Sequence, residues 1–169
     1  MQNIAKGLDD LEKQIRKNVH AAIEEALETD VCDAVRGAVI DRVHKDVYGV
    51  YTPKKYIRRK DEQGLSDANN VVHELRGRAT NTKSKTLTVW NIAKHNPRNN
   101  PNGPFGRDDL QKTIIDGWSK VGEKTPPYGR PRPFIENANK ALELGGEHRE
   151  SLERAFEIGL GRHGIVKTR

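Results

Sequence analysis

The sequence predicts an α+β fold: long N-terminal helices, a small antiparallel β ribbon packed on a core helix, and C-terminal helices. Three observations predict it. Apolar residues recur at helical spacing from Ile4 to Val47, two short runs after residue 70 look like β-strands, and two late apolar stripes stop at glycines. With 169 residues, 34% hydrophobic and 32% charged, the chain suits one domain over 1–169 with a lean core under a charged surface. Within it we expect a helical arm over 1–28, a core over 31–144, and a C-terminal helix with a basic tail over 145–169.

The first apolar row is Ile4, Leu8, Leu11, Ile15, Val19, Ile23, Leu27, Val31, Val35, Val39, Val43 and Val47. After Leu11 every step is four residues, and on a straight α-helix such a row drifts by about 40° per step. One face does not hold it for that distance. The expected resolution is a break near Glu28-Thr29-Asp30, with Thr29 or Asp30 capping a second helix from Val31 to Val47. Ala34, Ala38 and Ile40 widen the apolar face of that second helix, which marks it as the core helix. The first, flanked by Lys6, Lys13, Arg16, Lys17, Glu24 and Glu25, suits packing on a neighbouring subunit as well as on its own domain, and the four-residue steps do not sustain a coiled-coil heptad.

A strap follows, Val47 to Asp67, holding Tyr48, Tyr51 and Tyr56 beside Lys54, Lys55, Arg58, Arg59 and Lys60. Pro53, Gly49 and Gly64 make it an ordered irregular segment rather than a helix. Tyrosine and arginine offer large flat surfaces with polar tips, so the strap is the candidate contact surface, and the same tyrosines also suit pinning it to its own domain. Val71 to Leu75 and Thr86 to Ile92 then read as two antiparallel strands joined around Asn81 to Ser84, with Leu87, Val89 and Asn91 sharing one face. A two-stranded ribbon is marginal alone, so it must lie on the core helix or pair with another chain.

Lys94 to Gly106 is loop, with three prolines, four asparagines and two glycines. Asp108-Asp109 open a helix bearing Leu110, Ile114, Ile115 and Trp118. Pro133 suits the first turn of the next helix, whose stripe of Phe134, Ile135, Ala138, Ala141 and Leu142 stops at Gly145-Gly146. A last helix spans about Glu147 to Leu160, and the final residues IVKTR read as a frayed basic tail.

No convergent catalytic set is legible, so we expect no enzyme and no cofactor. Six scattered histidines lack zinc-protease spacing, His95-Asn96 has no accompanying metal-ligand motif, and no glycine pattern ends in Gly-Lys-Ser/Thr. One cysteine, Cys32, excludes a disulfide or a Cys-based zinc cluster within the chain. No leader and no apolar run of about 20 residues is present, so a membrane partner is not expected and the host cytoplasm is the expected place of synthesis. A charge of +6 makes a basic nucleic-acid-binding protein the alternative reading, although Asp61, Glu62 and Asp67 interrupt the basic strap.

The order of a leading helix, VYGVYTPKKYIRRKDEQGLSD, a β ribbon, DDLQKTIIDGW and PRPFIENANKAL resembles the tail-completion proteins of long-tailed bacteriophages, minor virion proteins of the head–tail neck. The resemblance spans about Val35 to Leu144; Gly64-Leu65 match the end of that family's strap and Pro131 to Phe134 its late Pro-Arg-Pro-Phe. The long Asn/Pro loop and the helix after Gly145 depart from it. What the resemblance implies is a structural virion protein that completes the tail and helps join it to the DNA-filled head. It implies a ring or several copies at the neck, beside head-completion or stopper and tail terminator or tube proteins. The contact residues expected on this basis are Tyr48, Tyr51, Tyr56, Arg58, Arg59 and Arg132, with Arg132 outward and Phe134 in the core. In a ring of heterologous contacts, the strap would meet helix one or the Pro-Arg-Pro-Phe segment of a neighbour.

Overall fold

The computed structural model describes residues 2–50, 62–77, 85–94, 110–116 and 131–166, with the side chains of 2–5, 110, 112 and 113 outside that description. Its helices are α1 (Gln2–Ala26), α2 (Cys32–Arg42), α3 (Leu110–Asp116), α4 (Phe134–Leu142) and α5 (Arg149–Gly161). Strands β1 (Val71–Arg76) and β2 (Thr86–Asn91) form one antiparallel ribbon. The predicted α+β class and order of elements are those observed.

The expected break at residues 28–30 is absent. Helical backbone angles continue from α1 into α2 through a π-turn, Leu27–Val31, and a second π-turn, Val43–Tyr48, follows α2. Thr29 does not cap forward; its hydroxyl donates back to the Glu25 carbonyl at 2.8 Å, a contact that bends helices without ending them. A π-turn takes in about one residue more than an α-turn, which sets the drift of the apolar row back by up to about 100°. The buried row accordingly reads Ala22, Ala26, Val31, then Val39, Val43 and Val47, with a five-residue step across the first π-turn. The small Ala22 and Ala26 take the inner positions, while Ile23 and Leu27 of the predicted row are half-buried.

Val39, Val43 and Val47 form the core with Leu65, Val71, Ala93, Ile114, Phe134 and Ala138. The segment predicted to be the core helix therefore is one. The ribbon lies on α2, as its small size requires. Its register pairs Val71 with Asn91, His73 with Val89 and Leu75 with Leu87, and Leu87, Val89 and Asn91 turn to one side as their alternation predicts. The turn expected at Asn81 to Ser84 lies outside the described residues, as do Asp108, Asp109 and Trp118.

Pro133 stands one residue before α4 rather than inside it. Gly145, at φ +81°, turns the chain after α4, and a Cβ on Gly146 would fall 2.3 Å from the Ala141 carbonyl oxygen. At the other end of α5, Gly164 at φ +73° lets the Ile165 amide return to the Leu160 carbonyl at 3.2 Å, a helix-ending turn only glycine adopts without strain. No described helix is long and apolar enough to cross a membrane.

Candidate interaction surface

The strap leaves the second π-turn and returns at Gly64, and its two ends meet. Tyr48, half-buried against the core, accepts a hydrogen bond on its phenol oxygen from the Leu65 amide at 3.1 Å, and His44 meets its ring edge-on at 5.4 Å between centroids. The return is held from below. Asn91, 5% exposed, donates through Nδ2 to the Leu65 carbonyl at 2.7 Å and accepts the Ala93 amide at 2.9 Å, while its own amide donates to Gln111 Oε1 at 2.6 Å. Asn70 Nδ2 donates to the Gly64 carbonyl at 2.8 Å. A single buried asparagine thus ties the strap to β2 and to α3.

Local backbone chemistry shapes this end. Gln63 sits at φ +58°, and the Asp67 carboxylate accepts its amide at 2.7 Å and that of Asn69 at 2.9 Å. Those two backbone donors, Gln63 first, hold the Asp67 carboxyl below the usual carboxylate range.

Of the expected contact residues, Tyr51, Tyr56, Arg58 and Arg59 lie outside the described residues, as does His95. Tyr48 is engaged within the chain, the pinning role that a strap tyrosine also suits. Arg132 departs from the expectation that it faces outward: it is 8% exposed, and its amide donates to the Ile114 carbonyl at 3.0 Å, which places this stretch beside α3. Phe134, expected in the core, is fully buried.

A second constellation was not legible in the sequence. Asp41 of α2 accepts from Lys45 Nζ at 2.8 Å and lies 3.1 Å from His148 Nε2, and Glu147 pairs with Lys45 at 3.2 Å and with Arg42. The hydrogen bond from Lys45, then that from His148, pulls the Asp41 carboxyl below its ordinary range, and the same bond raises Lys45. Asp41, Glu147 and His148 offer three ligand atoms within 4.8 Å of one another. Lys45 and Arg42 already bring positive charge to those two carboxylates, so the geometry is that of an ion-pair clasp between α2 and the lead into α5. The adjacent Glu147-His148 pair was the signal available, but nothing local points it at a residue 107 positions away.

A family model described as YomN matches residues 7–159. No curated protein matches the chain, and no solved structure does.

Proposed function

The chain belongs to the YomN family, a phage-derived prophage protein name, and is a phage-associated protein; on that premise we propose that it acts as a structural protein of the virion neck. In this reading it completes the tail and helps to join it to the DNA-filled head, in several copies, without catalysing a reaction. The observation that carries the proposal is the closed strap. Tyr48 at its start is bonded to Leu65 at its end, so the two ends of the strap are fixed to each other on the core. Fixing both ends of the strap lowers the ordering cost of a contact made through Tyr51, Tyr56, Arg58 and Arg59. The order of strap, ribbon and Pro-Arg-Pro-Phe segment, which resembles that of tail-completion proteins, supports the same reading.

Electron microscopy of a lysate from the parent phage with this gene disrupted tests it. Full heads lying beside separate finished tails are expected, and alanine at Tyr51, Tyr56, Arg58 and Arg59 together is expected to reproduce them. Joined, normal particles would remove the neck role. DNA affinity that falls steeply with added salt would then favour the nucleic-acid reading.

A further inference from the structure

The ribbon has two strands and therefore two outer edges. The Ile92 amide donates to the Asn70 carbonyl at 2.7 Å, which continues the ladder and makes Val72–Trp90, Glu74–Thr88 and Arg76–Thr86 its hydrogen-bonded pairs. The backbone groups of His73 and Leu75 therefore point off the outer edge of β1, and those of Leu87, Val89 and Asn91 off the outer edge of β2.

The two edges differ. β2 closes against α3, where Gln111 Oε1 takes the Asn91 amide at 2.6 Å, and its outward face carries Thr86, Thr88 and Trp90, with no charge to set a register. On β1 the Val71 amide is bonded to the Ala68 carbonyl. Beyond it, the amides and carbonyls of His73, Leu75 and Gly77 have no hydrogen-bond partner among the described residues. Val71–Arg76 also lacks the proline, lysine or bulge that commonly blunts an edge strand.

The side chains say what fits this edge. Glu74 and Arg76 share the outward face of β1 and pair with each other at 2.9 Å, their side chains 46% and 74% exposed. We propose that β1 pairs antiparallel with β1 of a second copy of this chain, about a two-fold axis at Leu75, joining two ribbons into one four-stranded sheet.

In that register Leu75 faces Leu75 of the second copy and His73 faces its Gly77, each pair exchanging backbone hydrogen bonds. Glu74 stands directly opposite Arg76 of the second copy, so the four charges alternate in sign on one face. The neighbouring registers are worse. An axis at Glu74 sets carboxylate against carboxylate, one at Arg76 sets guanidinium against guanidinium, and one at His73 calls on the Val71 amide, already bonded within the chain. With the axis normal to the sheet, the inner face of one ribbon continues that of the other, and the two half-buried Leu75 side chains cover each other. The contact is isologous, unlike the head-to-tail contacts of a ring, and it does not depend on the neck role.

Sedimentation of the full chain over a range of concentrations tests this. The mass is expected to rise from 19.1 kDa toward twice that value. Glu74→Arg places guanidinium opposite guanidinium across the axis, and Arg76→Glu places carboxylate opposite carboxylate; each alone is expected to weaken the dimer on the order of tenfold. Mixing the two variant chains restores opposite signs across the axis while the pair within each strand stays broken, and is expected to restore the dimer. Both changes in one chain are expected to restore it as well. The two positions are exposed, and unchanged circular dichroism at low concentration shows that each variant folds. A monomer at every concentration would overturn the proposal, as would a dimer indifferent to the single reversals or a mixture that stays as weak as its parts.

Discussion

The two C-terminal helices dock on the same long helical run by different physics. α4 buries Phe134, Ala138 and Ala141, and Phe134 and Ala138 belong to the core that holds Val39 and Val43. α5 fully buries only Gly159, against Ala26, keeps Leu152, Ala155, Phe156 and Leu160 half-buried, and is held at its two ends by polar bonds. At one end stand Arg162–Asp30 at 2.8 Å and His163–Glu25 at 3.0 Å; at the other is the Asp41–Lys45–Glu147–His148 clasp with Arg42. A chain with 34% hydrophobic residues concentrates its fully buried ones where α2, the ribbon and α4 meet, and attaches α5 by close backbone approach, half-buried apolar side chains and charge. The attachments should therefore fail under different conditions: α4 with the whole fold, α5 earlier and more readily in salt.

The largest effect is expected at the apolar dock. Phe134→Ala removes a fully buried ring and should cost about 3–5 kcal/mol, seen as a lower denaturant midpoint for the whole chain. An intermediate effect is expected at the close approach. A Cβ on Gly159 would stand 2.5 Å from the Ala26 Cβ and 2.8 Å from its Cα, so Gly159→Ala must push α5 away from the long helix. The overpacking cost of about 1–3 kcal/mol is offset by a gain of about 1 kcal/mol in helix propensity, which leaves a net global cost between about 0 and 2 kcal/mol. Faster amide exchange confined to α5, restored by adding Ala26→Gly, is thus a sharper readout than global stability.

The smallest effect is expected at the clasp. Asp41→Asn should cost about 1 kcal/mol or less, and less still at high salt. Because the folded Asp41 carboxyl titrates below its unfolded value, its contribution is present above the unfolded pKa of about 3.9 and is lost as pH falls through the folded one. The stability difference between the native chain and Asp41→Asn, followed by denaturant unfolding from pH 6 downward, should close on acidification. A gap that widened in acid would contradict the clasp.

The elements with a strong local period were the legible ones. Val39, Val43 and Val47 marked the core helix, Leu87 and Val89 marked the inner face of the ribbon, and Gly145 and Gly164 marked where α4 and α5 stop. At the join between α1 and α2 the capping side chains of Thr29 and Asp30 suggest a break, but Thr29 bonds back to Glu25 instead of forward. Ala22 and Ala26 are hidden among larger apolar neighbours; Ala26 lies where Gly159 approaches closely, a contact between residues far apart in the chain. At the candidate surface, Tyr48 and the Gly64-Leu65 return were legible as parts of a strap. The bonds that close it through Asn91 were not, since a buried asparagine in a strand has no periodic signature.

The π-turn at Leu27–Val31 also sets a compass bearing. The residues on its C-terminal side are fixed to the body, and those on its N-terminal side run out along α1. Winding these same residues as an ordinary α-turn would leave the composition of the arm untouched yet swing Leu8, Leu11 and Ile15 round by up to about 100°, more than a quarter circle. The direction in which the projecting helix offers its aliphatic edge is thus decided in five residues that do not themselves belong to that edge.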